Sequence, residues 1–212
     1  MASRLCPWGK HMIKLSNRLM AVAGFIAKGA SVADVGSDHG LLPVFLAQSG
    51  LARRIIASDI SAGSLEAARR SAAKHGVADL IRFVVAPGLS GVGESEADTV
   101  VVAGLGGETI AGILGDAPWT RLGARLVLQP QSKIIELCSW LRENGYAVRD
   151  ARLASDRGKL YVVLLVEGGQ PSSGLEPEQE YLALLASRGD PLLASYLEKL
   201  AAKEQAKQRG RK

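Results

Sequence analysis

The feature that most constrains the fold is a series of apolar, strand-like segments, most of them separated by helical ones. The segment SVADV at residues 31–35 has no polar face apart from Asp34, which is typical of a central strand in a parallel sheet. RRIIASDI, LIRFVVA, ADTVVVAGL and ARLVLQP predict four more strands. This alternation predicts an α/β fold with a mainly parallel sheet.

The last two strand-like segments, YAVRDARLA and KLYVVLLVEG, have no helix between them. Asp156, Arg157 and Gly158 lie at their junction and predict a hairpin turn. We therefore expect a Rossmann-like sheet of seven strands that ends in an antiparallel hairpin, with the crossover rule largely fixing its winding. Among the helices, the first is expected to begin at Ser16 and end at Gly29.

Composition divides the chain into four segments. Residues 1–13 have no regular period and are either loose or vector-derived, whereas residues 14–168 carry the sheet. Residues 169–177 predict a linker, and residues 178–212 predict two pairing helices with a basic tail, the second started by Asp190 and Pro191. From Glu198 onward, six basic residues stand against two acidic ones. Such a tail suits a polyanion, although a solvated helix end is commoner for an isolated tail.

Other features exclude several classes of protein. The longest apolar runs, such as Thr99 to Leu105, fall far short of the roughly 20 residues that a membrane span requires. Cys6 and Cys138 have neither metal-ligand spacing nor a disulfide pattern. We therefore expect a cytoplasmic protein without a membrane span or a bound metal.

The loop after the first strand predicts a nucleoside site. Gly36 and Gly40 give G-x-x-x-G, and the dinucleotide pattern G-x-G-x-x-G is missing. A ligand with an amine and a ribose but no phosphate, such as S-adenosylmethionine, suits this loop better than NAD. Asp59 ends the next strand, where an acid can accept hydrogen bonds from both ribose hydroxyls. Two structural alternatives stay open: Asp59 forms the turn or caps the next helix, and the carboxylate of Asp34 accepts hydrogen bonds from neighbouring backbone amides.

Five segments, LSNRL, VADVGSDHGLLP, VVVAGLGGETI, LVLQPQ and GKLYVV, follow one another between about residues 14 and 167. Together they resemble the TrmK family of bacterial tRNA methyltransferases, which methylate N1 of adenine 22. The resemblance implies a class I methyltransferase domain with a helical C-terminal domain, S-adenosyl-L-methionine as the cofactor and tRNA as the partner. We expect a monomer or weak homodimer. A methyltransferase for a small molecule or protein, or a non-catalytic RNA-binding relative, are the alternatives.

The resemblance also implies which residues contact the cofactor. Asp34, Gly36, Ser37 and Asp38 would lie near its methionine part, and Asp59 and Ile60 near its ribose and adenine. The family usually has Asp-Gly-Leu after the third strand, whereas this chain has Pro87-Gly88-Leu89 and lacks that acid. The remaining expected cofactor contacts are His39, Gly40, Pro87, Gly88, Ala103, Gly104, Leu105 and Gly106.

Methyl transfer to adenine N1 needs alignment rather than a strong base, because N1 already carries a lone pair. Asp38 is expected to accept a hydrogen bond from the exocyclic amine, with capping of the next helix as the alternative. Gly104 would let a flat base approach closely, or only form a tight turn. Gln129 would offer its amide to the base while Pro130 stiffens the loop.

Four residues are expected to contact the RNA substrate. For each of three there is also a structural alternative: a surface salt bridge for the arginine, a hydrogen-bonded structural role for the histidine, and simple packing for the tyrosine. The four residues are Arg18, His39, Lys159 and Tyr161.

Overall fold

The computed structural model describes residues 12–171 and 174–209. Seven strands form one sheet in the order β3-β2-β1-β4-β5-β7-β6. Strands β1 to β5 pair in parallel, and β7 is antiparallel to both β5 and β6, which confirms the predicted sheet and hairpin. The strands are β1 (Ala30–Val35), β2 (Ala52–Asp59), β3 (Ile81–Val85), β4 (Thr99–Leu105), β5 (Arg125–Pro130), β6 (Tyr146–Asp156) and β7 (Lys159–Gly168).

Seven α-helices accompany the sheet within the described residues: α1 (Asn17–Ala23), α2 (Leu41–Ser49), α3 (Ala62–Lys74), α4 (Gly107–Gly115), α5 (Ile134–Glu143), α6 (Pro177–Ser187) and α7 (Leu193–Arg209). Ser16 and Ser61 are N-caps, because their side chains accept hydrogen bonds from the backbone N–H groups three residues on. Short 3₁₀ helices cover Ala78–Leu80 and Pro118–Leu122.

The end predicted for the first helix at Gly29 is wrong, because α1 stops at Ala23. The N–H groups of Phe25 and Ile26 bond the carbonyls three residues earlier, so the chain tightens after the helix. A Cβ at Gly24 would lie 2.4 Å from Nη1 of Arg152, so this turn is packed against β6. The spacing of hydrophobic residues does not predict this contact between Gly24 and a distant strand.

The sheet separates two hydrophobic clusters, and successive residues of β4 alternate between them. Val100 and Val102 belong to the cluster covered by α4, α5 and α6, while Val101 belongs to the cluster covered by α1, α2 and α3. Because both faces are covered, the central strands are predominantly apolar, as parallel strands are in layered α/β folds.

The C-terminal helices extend the first of these clusters. Tyr181 of α6 is fully buried, and its hydroxyl lies 3.2 Å from that of Tyr196 on α7. Arg142 of α5 and Glu180 of α6 form an ion pair at 3.3 Å. Helix α7 begins at Leu193, two residues after the predicted Asp190-Pro191 start. Asp190 accepts hydrogen bonds from the N–H groups of Leu153 and Leu192 through its carboxylate and from that of Leu193 through its carbonyl, so Asp190 and Pro191 form a turn that leads into the helix.

Parts of the predicted segments lie outside the described residues: residues 1–11, residues 172 and 173 of the linker, and the last three residues of the basic tail. In the part that is described, the N–H of Ile13 donates to Oε1 of Gln48 at 2.8 Å, so the chain is anchored from there on. No helix in the described ranges has the length and apolar character needed to cross a membrane.

Candidate active site

The carboxyl ends of the parallel strands meet around a cleft of about 680 Å³. It lies beside the junction of β1 and β4, where the strand order reverses, the usual ligand position in open α/β sheets. The predicted residues that line it are Arg18, Asp34, Gly36, Ser37, Asp38, His39, Asp59, Ile60, Pro87, Gly88, Ala103, Gly104 and Leu105.

Asp34 is the penultimate residue of β1, lines this cleft and is 5% exposed. The hydroxyl of Ser37 donates to its Oδ2, and also lies at 2.8 Å from its backbone carbonyl. Burial raises the pKa of Asp34 to about 6, which the nearby charge of Asp59 reinforces, while the Ser37 hydrogen bond and Arg18 oppose it. A cationic group bound beside this carboxylate would favour its charged form and so offset part of the cost of burying it.

Asp59 ends β2 and faces the same cleft. Its Oδ2 accepts a hydrogen bond from the N–H of Asp38 at 3.1 Å, and its Oδ1 accepts one from the N–H of Ser61 at 2.9 Å. A carboxylate has about four acceptor sites, so two backbone bonds fix its orientation and leave capacity for a ligand's hydroxyls.

Asp38 and His39 project from the loop between β1 and α2, and both side chains are 69% exposed. Asp38 has φ +47°, a left-handed conformation that aspartate tolerates better than most residues. The N-cap of α2 is Gly40, which has no side chain, and among the described residues the Asp38 carboxylate accepts no hydrogen bond from a backbone N–H of α2, the structural role considered as its alternative. His39 Nε2 lies 3.7 Å from Oδ1 of Asp38. Because both side chains are largely exposed, they are available to a ligand in the cleft.

The far end of the cleft is apolar. Ile60 is 75% exposed there and Pro87 and Gly88 line the opposite side. The hydroxyl of Ser58 donates to the carbonyl of Gly88 at 3.3 Å, which fixes the loop after β3. These residues offer apolar surface, and Pro87 supplies no side-chain acceptor.

Arg18 of α1 reaches the cleft from the other face of the loop. Its Nη1 donates to Oε1 of Gln129 at 2.7 Å, and its guanidinium lies 5.8 Å from the centroid of the Tyr161 ring. Gly104 has φ +90°, and a Cβ there would lie 3.5 Å from Arg18 Nη1. The absence of a side chain at Gly104 therefore leaves space directly in front of the arginine.

Six predicted site residues do not line this cleft. Gln129 is fully buried behind Arg18, and its Nε2 donates to the carbonyl of Pro130, so its amide does not face a substrate as predicted. Gly40 caps α2, where a Cβ would lie 2.7 Å from Cβ of Ala68, and thus permits close packing of α2 on α3. Gly106 is the N-cap of α4. Pro130, Lys159 and Tyr161 line a neighbouring groove instead.

That groove, called the basic groove below, has a volume of about 620 Å³ and lies between the β6–β7 hairpin, the loop after β5 and helix α7. Gln131 lines both the cleft and the groove, so the two are adjoining. The basic groove is lined by Pro130, Gln131, Ser132, Lys133, Ile134, Gly158, Lys159, Leu160, Tyr161, Val162, Tyr196, Lys199, Leu200 and Lys203.

Sequence analysis missed several cleft residues, among them Thr109, Ile113 and Gln131. Thr109 and Ile113 are four residues apart on α4, which begins immediately after the Gly104–Gly106 loop, so their common face was readable from the sequence. Gln131 follows Pro130 with no such spacing to reveal it. Among the described residues, no group of three or more His, Cys, Asp or Glu side chains could hold a metal ion.

Comparison with known proteins gives consistent matches. A sequence-family model described as a methyltransferase domain matches residues 15–164. The tRNA (adenine(22)-N(1))-methyltransferase of Bacillus subtilis is 37% identical over 158 residues, which make up 74% of this chain and 66% of that protein.

Solved structures agree over more of the chain. The crystal structure of the B. subtilis m1A22 tRNA methyltransferase TrmK superposes with a TM-score of 0.78 and 30% identity, covering 93% of this chain and 87% of that one. A Streptococcus pneumoniae relative in complex with S-adenosyl-L-methionine gives a TM-score of 0.82 and 31% identity, covering 90% and 89%. Sequence motifs, strand order and superposition thus lead to one conclusion: the chain belongs to the TrmK family of class I methyltransferases.

Proposed function

We propose that this protein transfers a methyl group from S-adenosyl-L-methionine to N1 of adenine 22 in tRNA. The observation that carries the proposal is the cleft at the β1–β4 junction, lined by three aspartates, in a chain that belongs to the TrmK family. The B. subtilis relative is a tRNA (adenine(22)-N(1))-methyltransferase, and the S. pneumoniae relative has been solved with S-adenosyl-L-methionine.

The residues of the cleft fit this cofactor. Its volume of about 680 Å³ lies within the range typical of small-molecule sites. We assign Asp59, already oriented by two backbone N–H groups, to the ribose hydroxyls and Asp34 to the cationic methionine end. Ile60 and Pro87 would enclose the adenine ring, which then receives contact from apolar surface and no side-chain carboxylate.

When bound, S-adenosyl-L-methionine supplies an electrophilic methyl group on a sulfonium. The chain's own part is to hold the base in line with that methyl and to exclude water, which can provide about 7–11 kcal/mol of a reaction barrier. We assign Asp38 the exocyclic amine of the target adenine, because its exposed carboxylate would stabilise the positive charge that moves onto the purine. The space in front of Gly104 would admit the flat base.

Adenine N1 lies on the Watson–Crick edge, so the target nucleotide must be unpaired or turned out of its stack. We place such a nucleotide where the cleft adjoins the basic groove, between Arg18 and Tyr161. The two side chains are neighbours there, since Cζ of Arg18 lies 5.8 Å from the centroid of the Tyr161 ring. A tRNA substrate would place the reaction in the cytoplasm, and we propose a monomer or weak homodimer, which light scattering would test.

The test is methyl transfer from isotopically labelled cofactor to unmodified bacterial tRNA, followed by nucleoside mass spectrometry. We expect N1-methyladenosine in the product, and its loss when adenine 22 is replaced by guanine. Label in another nucleoside, or label only in protein or a small molecule, would overturn the proposal in favour of a different acceptor. Measured cofactor binding without any transfer would identify a non-catalytic relative.

A further inference from the structure

The basic groove has an unusual charge composition. Its walls contain four lysines, namely Lys133, Lys159, Lys199 and Lys203, and none of its 14 lining residues is acidic. Lys199 and Lys203 share a face of α7 with Tyr196 and Leu200, because these residues follow the i, i+3, i+4, i+7 spacing of one helix face. This face of α7 packs next to the β6–β7 hairpin, so lysines from both elements line the groove.

Among the described residues, only one of the four lysines has an acidic partner. Lys133 pairs with Glu108 at 3.7 Å and with Glu136 at 3.4 Å. Lys199 Nζ donates to the carbonyl of Gly158 at 3.2 Å, which keeps its charge. Within residues 12–171 and 174–209, neither Lys159 nor Lys203 forms an ion pair. A cleft lined by one sign of charge concentrates ligands of the opposite sign.

The position of the groove indicates how long its ligand is. Gln131 lines both the groove and the cofactor cleft, and the Arg18–Tyr161 contact joins their walls. One ligand can therefore occupy both spaces if a single nucleotide enters the cleft while the chain on one side of it continues through the groove. A nucleic acid strand has this form, with one negative charge per nucleotide.

We propose that the basic groove binds the phosphate backbone of the RNA strand that leads to the target nucleotide, with Lys159, Lys199 and Lys203 as the phosphate contacts. The inference rests on the function proposed above and adds to it a specific path for the substrate. In this arrangement the lysines position the RNA and take no part in the chemistry. Lys159 lies on β7, and Lys199 and Lys203 lie on α7, so none of the three belongs to the loops that line the cleft.

The test measures tRNA binding by the full-length protein across a series of KCl concentrations. The variant is Lys199→Gln/Lys203→Gln, and the matched control is Lys28→Gln/Lys74→Gln, which removes the same charge from exposed lysines at the opposite end of the sheet. Removal of one phosphate-binding lysine should reduce the slope of log K against log salt by about 0.7–0.9, so we expect a reduction of roughly 1.4–1.8 for the groove variant. We expect its KM for tRNA to rise about tenfold, with cofactor affinity and melting temperature unchanged.

Lys159→Gln, on the facing wall, should reduce the slope by roughly a further 0.7–0.9, and it keeps the test decisive if the α7 variant folds poorly. A groove variant whose slope and KM equal those of the control would overturn the inference. The outcome is separable from the proposed function. Groove-dependent tRNA binding without N1-methyladenosine would leave the groove inference standing alone, whereas methylation by wild type with control-like variants would refute only the groove.

Discussion

The cofactor cleft and the basic groove adjoin each other, yet they carry opposite charge. The cleft is lined by Asp34, Asp38 and Asp59 against Arg18 and His39, while the groove contains four lysines and no acid. Carboxylates suit a ligand with a cationic end and ribose hydroxyls, and lysines suit phosphates. This contrast is what the two proposed ligands, a cationic nucleoside cofactor and an RNA backbone, would require of adjoining sites.

The two regions also differ in how they are built. The cleft is formed mainly by strand ends and the loops that directly follow β1, β2, β3 and β4, and two backbone N–H groups orient the carboxylate of Asp59 there. The groove is formed by elements far apart in the chain, and its four lysines are exposed side chains. Contacts to a phosphate backbone position a nucleic acid without reading its sequence, so the groove does not need the fixed hydrogen-bonding geometry of the cleft.

The largest expected effect separates chemistry from binding. Asp38→Asn keeps a residue that tolerates the left-handed φ of +47° and removes the carboxylate, so kcat should fall about 100- to 1000-fold. Asp79→Asn removes the same charge from the opposite edge of the sheet and should leave kcat unchanged. The measurement is single-turnover methylation of tRNA, and a near-normal rate would remove Asp38 from the reaction.

A second change tests whether the acidic cleft alone holds the cofactor. Asp59→Ala removes the proposed acceptor of both ribose hydroxyls, and two charged hydrogen bonds of about 1.5–3 kcal/mol each predict a cofactor affinity at least roughly 100-fold weaker. Asp59→Asn retains one acceptor for the N–H of Asp38 or Ser61 and should have a smaller effect. Calorimetry gives the cofactor Kd, and tRNA affinity in the same variants should stay constant. An unchanged cofactor Kd would contradict the assignment.

The third change exploits the pKa of Asp34, which burial raises to about 6 from an ordinary value of 3.8. The folded state then binds the proton more tightly than the unfolded chain, so ionising Asp34 destabilises the fold. This cost is absent below about pH 4, grows as the pH rises to 6 and is complete above that pKa, where it reaches on the order of 2–3 kcal/mol. Asp34→Asn should therefore raise the free energy of unfolding at pH 7.5 by that amount while it weakens cofactor binding.

Denaturant titrations between pH 4 and 8 provide the measurement for Asp34. The difference between Asp34→Asn and wild type should vanish toward pH 4. Ser37→Ala removes the hydrogen bond to Oδ2 without changing the charge and serves as the control, with reduced stability above pH 6. A stability difference that does not depend on pH would show that Asp34 is not the titrating group.

A fourth change lies at the boundary between the two regions. Gln129→Leu removes the acceptor that holds Arg18 at 2.7 Å, so we expect kcat to fall about tenfold, as for removal of one hydrogen bond at the site, with cofactor Kd unchanged. Gln129→Glu keeps an acceptor for Arg18 and should restore most of kcat, which altered packing alone would not explain. Equal decreases in both variants would refute a positioning role for Gln129.

The smallest effect comes from adding an acid to the cleft. Pro87→Asp introduces the carboxylate that the family resemblance implies at this position, and a hydrogen bond to the adenine amine of about 0.5–1.5 kcal/mol predicts roughly two- to tenfold tighter cofactor binding. Pro87→Ala adds no acceptor and should leave the Kd near that of wild type. Tighter binding by both variants would point to loop relaxation as the cause.

Much of the cofactor cleft could be predicted from the sequence. A buried strand followed by Gly36–Gly40, and an acid at the end of the next strand, place Asp34, Ser37, Asp38 and Asp59 correctly at one edge. The reason is that carboxyl ends of parallel strands meet at one side of a sheet, whatever the details of packing. Local caps such as Ser16 and Ser61 were equally accessible, since each depends on residues three apart.

The errors share a physical origin. Gln129 was expected to offer its amide to the base, yet Arg18, 111 residues earlier, lies in front of it. Gly24, the C-cap of α1, lies close to Nη1 of Arg152 in β6, and no local sequence pattern reveals that approach. Contacts between distant segments follow from register and packing, which single-sequence periodicity does not contain.

The sequence by itself determined the succession of strands and helices along the chain, the hairpin, and which carboxylates line the cleft. These features depend on periodicity, turn residues and position at a strand end, all of which act over short distances in the sequence. Only the tertiary structure decided that Gln129 lies behind Arg18 and that Lys159 faces Lys199 and Lys203 across one groove. Those arrangements arise when β7, α1 and α7 pack around the same edge of the sheet, since side chains distant in sequence become neighbours only through that packing.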